Sequence, residues 1–358
     1  VGCADLDGDG VFANVDECPQ SPVRWTIDQT GCAVIQQPVD WTEASALNGP
    51  MQVVPQFSFP TLSGTFNFKN EWTGDDVYLF MFKYTNSQGT SNSATWAQNP
   101  GKFIRNLPLN THLFYGSFDN GYHADVIQQR NDVRAALTNS EEAHWDSRIH
   151  YIDIDASNLG GGIASIINSF NNPLYVGIDR FQLARETGSL TSWTSQGSDP
   201  FHLSHEPNQW NAEFPTKIRE TDPNVHVVDI MDFQRHSGGW GGGYNSYTNA
   251  TFNLPDVLSS YDTLEVYHEH ACFERSNRYQ KQDGSFGGCH EWDRLSHLFI
   301  CDRTNRSVCN TEAVRWITTY GREGMWLTDI SPYLFMLDDG EDRRFKYAGA
   351  EKGDMTVK

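Results

Sequence analysis

At 358 residues the chain exceeds the length at which one apolar core keeps growing, so two or three domains are expected. Its 46 Asp and Glu against 26 Lys and Arg give a net charge of −20, a field that repels phosphate backbones and anionic lipid and so argues against nucleic acid or a membrane surface as main partner. No run approaches the ~18 apolar residues of a membrane span, and the acidic balance suits divalent cations and neutral glycans.

The first segment carries the sharpest spacing. Asp5-Leu6-Asp7-Gly8-Asp9-Gly10-Val11 followed by Asp16 sets carboxylates at positions one, three, five and twelve of a loop with glycine at six. That is how a Ca²⁺ loop delivers oxygens to a hard cation, with Val11 at position seven offering its backbone carbonyl. A solvated acidic turn is the plain alternative. Glu17-Cys18-Pro19 and Gly31-Cys32 follow, and over residues 1–34 the segment resembles a thrombospondin type 3 repeat. The resemblance implies a structural Ca²⁺ that stiffens a spacer in a secreted or cell-surface protein.

The seven cysteines fall in two clusters, Cys3, Cys18 and Cys32, then Cys272, Cys289, Cys301 and Cys309. Clustering in short loops reads as disulfide stapling in an oxidising compartment, so an extracellular or cell-surface location is expected. The local pairings expected are Cys18 with Cys32, Cys272 with Cys289, and Cys301 with Cys309. Cys3 is left over, its partner expected upstream of Val1, and the start at Val1 reads as a trimmed or mature end. Asn249-Ala250-Thr251 and Asn305-Arg306-Ser307 match the N-glycosylation pattern.

Residues 41–205 alternate strand-like runs (Asp76–Phe82, His112–Gly116, Ile149–Ile154, Leu174–Ile178) with helical spacing at Trp96–Leu107, Asp125–Leu137 and Ile163–Phe170. This predicts a small α/β domain with a mainly parallel sheet. The order resembles a thioredoxin-like fold, but no Cys-x-x-Cys lies here, which excludes its dithiol chemistry. Gly160-Gly161-Gly162 before a helix is either an anion cradle or, more simply, a loop. No site is expected in this domain. Residues 206–224, with Pro207, Pro215 and Pro223, read as a linker or irregular crossing.

From 225 to 349 the runs are short and alternating: Val225–Ile230, Asn249–Leu254, Asp262–Tyr267, Leu295–Ile300, Ala313–Thr318 and Met325–Ile330. Six such strands predict an antiparallel β-sandwich or jelly roll, with residues 350–358 as a tail. Within it, Cys272 leads through Cys289 to Glu291-Trp292-Asp293-Arg294, a charge cluster that is either a paired ion network or a site. This block, with Thr251–Pro255 before it and Thr328–Ser331 after it, resembles the first jelly roll of the peptide-N-glycosidase F family.

That resemblance implies hydrolysis of the amide joining an N-glycan to asparagine. It makes Asp293 the catalytic carboxylate, with Trp292 and Arg294 at the same site. A carboxylate can orient and deprotonate water, and an arginine can steady the developing oxyanion. Trp292 either offers a face to a sugar ring or fills the core. The family's second roll supplies an essential glutamate that this chain lacks up to Lys358, and Gly349 stands where another family carboxylate falls, with Glu351 nearby. An active amidase therefore requires a second domain beyond Lys358. Two non-catalytic readings stand beside it: a glycan- or protein-binding module, and a self-assembling subunit of an extracellular filament or surface layer.

Two further features keep two readings each, and a third has one. His268, His270 and His290 are metal ligands or exposed strand and loop polar groups. Gly238–Tyr244 is a turn or a glycan-stacking loop. The run Asp338–Asp342 is a solvated turn answered by Arg343 and Arg344.

Overall fold

The fold is described by a computed structural model over residues 12–17, 30, 38–47, 49–85, 87, 89, 96, 99–170, 173–187, 201–219, 223, 225–232, 234–238, 246–261, 263–272, 279–280, 286–287, 295–317, 319, 323–349 and 353–357. The chain divides into two units, Val1–Asp40 with Thr73–Asp75, and Trp41–Trp72 with Asp76–Lys358.

In the larger unit a hairpin, β1 (Ser58–Thr61) and β2 (Gly64–Asn67), precedes β3 (Val77–Lys83), α1 (Pro100–Arg105), β4 (Thr111–Ser117), α2 (Tyr122–Ala136), α3 (Asn139–Trp145), β5 (Ile149–Asp155), α4 (Gly161–Ser169), β6 (Tyr175–Ile178), β7 (Ala184–Glu186) and α5 (Phe201–Arg219). The strands form one sheet in the order β2-β1-β5-β4-β3-β6-β7. Only the β3–β4 and β4–β5 pairs are parallel; the other four are antiparallel. The expected α/β sheet is therefore mixed rather than mainly parallel. The physical reason is local: the β1–β2 and β6–β7 connections are short, and short connections pair strands antiparallel.

Every residue of β3 from Val77 to Phe82 is buried, because both faces of the sheet are covered. Val77, Leu79 and Met81 meet Phe103, Ile104, Val126 and Val133 on one side. Tyr78, Phe80 and Phe82 meet Phe57, Phe68, Ile163 and Ile166 on the other. Each such ring or branched chain contributes roughly 1.5–3 kcal/mol on burial.

Residues 206–219, expected to be an irregular linker, belong to helix α5 despite Pro207 and Pro215. Packing overrides propensity here: Leu203, Trp210 and Phe214 are buried at helical spacing. Trp210 lies on Gly177 of β6 so closely that a Cβ there would sit 1.9 Å from the indole. The glycine triplet before α4 serves similar contact. A Cβ on Gly162 would stand 2.2 Å from the Pro55 carbonyl oxygen, so that helix end is packed closely against backbone.

Ten further strands follow: β8 (Gln234–Gly238), β9 (Ser246–Asn253), β10 (Glu265–Cys272), β11 (Tyr279–Gln280), β12 (Phe286–Gly287), β13 (Leu295–Ile300), β14 (Thr311–Ile317), β15 (Gly324–Asp329), β16 (Asp342–Gly349) and β17 (Gly353–Val357). Two four-stranded antiparallel sheets result, β15-β10-β17-β8 and β14-β13-β16-β9, with β11 and β12 as a separate pair. Leu298, Ile300, Val314, Trp316, Phe345 and Tyr347 of the second sheet share a core with Val266 and Trp326 of the first. The all-β half is thus present as separate antiparallel sheets. Residues 225–230, expected as a strand, are irregular, and residues 353–357, expected in a tail, form β17 between β10 and β8. Arg343, expected with Arg344 to answer the Asp338–Asp342 run, is buried as the second residue of β16 and reaches Glu341 at 3.4 Å. The Asp338 and Glu341 charges are answered chiefly by Arg303.

β10 is covered on both faces. His268 and His270 point into the shared core, while Tyr267 packs with Met325 against Met51 and Leu183 of the α/β part. Alternation along a strand sends neighbours to opposite faces, so coverage on both sides buries polar and apolar residues alike.

Candidate functional site

Trp292, Asp293 and Arg294 lie outside the described residues, as do Cys289 and His290. The strand they lead into is well defined. β13 is an interior strand, paired to β14 on one side and to β16 on the other. Its first residue, Leu295, is 37% exposed, while the second, Ser296, is fully buried and its Oγ accepts a hydrogen bond from the Tyr347 hydroxyl at 2.9 Å. One step along the strand, His297 is buried with its Nδ1 3.3 Å from Glu312 Oε2. Arg315 grips the same carboxylate through two hydrogen bonds at 2.8 and 2.9 Å. Those hydrogen bonds from Arg315, with His297 adding to them, hold the Glu312 carboxyl below its ordinary range.

The histidines of β10 are not the exposed strand groups that one sequence reading makes them. His268 sits with its ring 4.4 Å from Trp316, 5.0 Å from Trp326 and 5.6 Å from Tyr347, and His270 is fully buried. Among the described residues no three His, Cys, Asp or Glu side chains gather as a metal centre. On the opposite face the Tyr267 hydroxyl donates to Glu269 at 2.8 Å. The interior beside β13 is therefore unusually polar, with His268, His270, Ser296 and His297 all buried there or nearby.

Of the predicted Ca²⁺ ligands, Asp5, Asp7, Asp9 and Val11 lie outside the described residues. Asp16 is described: it is half-buried, its backbone N–H donates to the Phe12 carbonyl at 3.0 Å, and Glu17 N–H donates to Thr30 at 2.7 Å. Of the three expected disulfides, Cys301–Cys309 is formed. Cys18, Cys32 and the Cys272 side chain lie outside the described residues, and so do residues 239–245 of the glycine-rich loop. Asn249 on β9 and Asn305 in the loop after β13 are both exposed.

Sequence reading found nothing in the α/β part, yet two polar clusters stand there. At the C-terminal ends of parallel β3 and β4, Lys83 Nζ lies 2.6 Å from Asp125 and 3.5 Å from Asp119. Ser117 donates to Asp125 at 2.8 Å, and Thr85 donates to Asp119 through both its N–H and its hydroxyl at 2.7 Å. At the strands' other ends His112 and His150 share a hydrogen bond at 3.0 Å, with Asp76 3.5 Å from His112 and held by Arg148 at 2.6 Å. Burial first, then the charges of His112 and Arg148, push the His150 imidazole down to about 3, so it is neutral at physiological pH. Both clusters are internally satisfied, and this marks them as locks between elements.

No family model matches the chain. Among curated proteins, outer membrane porin F of Pseudomonas aeruginosa is 46% identical over 37 residues, which is 10% of this chain and 11% of the porin. Among solved structures, PNGase F, a glycosylasparaginase from Flavobacterium meningosepticum, matches at 18% identity and a TM-score of 0.27 over 37% of this chain and 40% of that one. A SCO1/SenC family lipoprotein from Bacillus anthracis matches at 15% identity and a TM-score of 0.23 over 40% of this chain and 86% of that one. Likenesses this distant assign neither fold nor activity. Among the described residues no helix is long and apolar enough to cross a membrane.

Proposed function

We propose that this is a secreted or cell-surface calcium-binding protein whose residues 225–349 form a peptide-N-glycosidase F-like jelly roll. In this reading Asp293 activates water against the amide between an N-glycan and asparagine, Arg294 steadies the oxyanion, and Trp292 lines the sugar. Residues 1–34 are a thrombospondin type 3-like Ca²⁺ spacer, residues 41–205 a thioredoxin-like domain without redox cysteines, and the partner carboxylate comes from a second domain of the native polypeptide. One observation carries the reading: Glu291-Trp292-Asp293-Arg294 runs straight into β13, whose first residue is exposed and whose second is sealed in the sandwich. A segment leading into such a strand end can meet solvent and substrate while a rigid strand anchors it.

The test is deglycosylation of a denatured N-glycoprotein by the full native polypeptide, followed by mass spectrometry. Asp293→Asn is expected to reduce the rate by about 100-fold or more, in line with loss of a general base. An intact substrate with the unaltered protein sinks the amidase reading. Glycan binding that survives Asp293→Ala, without hydrolysis, supports a binding module in its place. Removing Ca²⁺ with a chelator is expected to alter the 1–34 spacer alone, and loss of an assembled state on chelation supports the filament reading.

A further inference from the structure

A cavity of about 240 Å³ opens in the α/β part, away from the Asp293 segment in sequence and built from four elements. Arg130, Val133, Arg134 and Leu137 reach it from α2 and the residue after it, at the i, i+3, i+4, i+7 spacing of one helix face. Trp145 comes from α3, Ile149 and Tyr151 from β5, and Leu62 from the β1–β2 turn. The turn is fixed to β5 by a hydrogen bond from Leu62 N–H to the Tyr151 carbonyl at 2.9 Å. Helix α3 is fixed by a capping box between Thr138 and Glu141. The walls are therefore preformed.

The two arginines of this cavity are not answered alike. Arg105, Arg148, Arg185 and Arg303 all hold carboxylates. Arg134 faces Glu142 at 3.4 Å and Asp146 at 3.5 Å across the rim. Arg130 makes no hydrogen bond or ion pair among the described residues, and its Nε is buried without an acceptor. In a chain of net charge −20, a half-buried guanidinium whose inward Nε–H lacks an acceptor is open to an anion that supplies one. Tyr151 is 7% exposed, and burial pushes its phenol upward, so it stays protonated and able to donate at neutral pH.

We infer that this cavity binds a small monocarboxylate with an apolar body: the carboxylate on Arg130, assisted by the Tyr151 hydroxyl, and the body against Val133, Leu137 and Trp145. A planar guanidinium matches a carboxylate through two parallel hydrogen bonds. Only one cation is unanswered, because Glu142 and Asp146 occupy Arg134, so a single negative charge fits and a dianion such as phosphate meets two carboxylates at the rim. The volume lies below the ~300–1,000 Å³ of drug-sized sites, which limits the ligand to a small metabolite.

The test is calorimetric titration of the full chain with phenylacetate and hexanoate, using phenylacetamide as the uncharged control and inorganic phosphate as the dianion. At least one of the two carboxylates is expected to bind with a Kd of about 1 mM or tighter, and phenylacetamide at least about tenfold more weakly. Arg130→Gln is expected to weaken the carboxylate by about tenfold or more with an unchanged thermal melt. Should that variant not fold, Leu137→Trp fills the cavity and is expected to remove binding with Arg130 in place. The inference is overturned if neither carboxylate binds, if the amide or phosphate binds as tightly, or if a folded Arg130→Gln or Leu137→Trp protein binds like the parent. None of these results bears on hydrolysis at Asp293, which is read separately.

Discussion

In the seven-stranded sheet aromatic rings meet one another: Phe114 lies 4.3 Å from Phe80, 4.8 Å from Phe66 and 5.9 Å from Phe59. Between the two four-stranded sheets an imidazole takes the corresponding place, with Trp316, Trp326 and Tyr347 around His268. The first core rests chiefly on area and shape, which are non-directional, with the His150 imidazole stacked 4.5 Å from Phe114 as its polar edge. The second includes groups that must be hydrogen-bonded to be buried at all, so it tolerates fewer arrangements and carries more potential chemistry. The difference leaves buried imidazoles beside Trp316 and Tyr347 in the sandwich, and an Arg130 Nε without an acceptor in the α/β part.

The sharpest break of this comparison is Phe114→Ala. Removing a fully buried ring stacked on Phe80 and met edge-on by Phe66 and Phe59 is expected to cost about 3–5 kcal/mol, measured by urea or thermal unfolding. A loss below about 1 kcal/mol would show that the aromatic face is not the main support of the sheet.

Next is the exception inside the apolar half. Arg185 is sealed with Asp179 at 3.0 Å and with Glu213 of α5, all three side chains 3% exposed. Arg185→Met leaves two buried carboxylates unanswered and is expected to cost about 3–5 kcal/mol. Restoring much of that loss with Asp179→Asn and Glu213→Gln would show that the uncompensated charges, rather than lost packing, are responsible.

The third prediction concerns pH. The folded His150 titrates at about 3 against an ordinary 6.5, so the unfolded chain binds a proton that the folded chain refuses between those values. The sign follows: this contribution is complete above about pH 6.5 and is lost as pH falls, at up to roughly 1.4 kcal/mol per pH unit. His150→Gln keeps a hydrogen-bonding side chain beside His112 without the titration, and is expected to flatten the stability profile between pH 6 and 4. An unchanged profile would assign the acid sensitivity elsewhere.

The strands β3, β4, β5 and β13–β15 were legible because their apolar runs are continuous or alternate cleanly. Helix α5 was not, since Pro207 and Pro215 outvote a buried stripe whose meaning depends on Gly177 receiving Trp210. The start of α3 is carried by a local signal, the Thr138-x-x-Glu141 capping box. His268 and His270 read as exposed because sequence shows what a strand carries and not how many of its faces are covered. Cys301–Cys309 was readable from spacing alone. Arg130 illustrates the opposite limit: its helix face is visible in the spacing, but its want of an acceptor is a fact of tertiary packing.

The smallest expected effect tests whether the polar groups of the sandwich act one at a time. Trp316 Nε1 donates to the Thr328 hydroxyl at 3.1 Å, joining β14 of one sheet to β15 of the other. Thr328→Val keeps the shape and leaves the indole N–H without that acceptor, so the expected cost is about 1 kcal/mol. If the sandwich is held by separate contacts, that loss should add to the cost of Tyr347→Phe, which removes the partner of Ser296. Non-additivity above about 0.5 kcal/mol would show that Trp316, His268 and Tyr347 behave as one coupled group. The interior beside β13 would then be one network rather than a set of separate contacts.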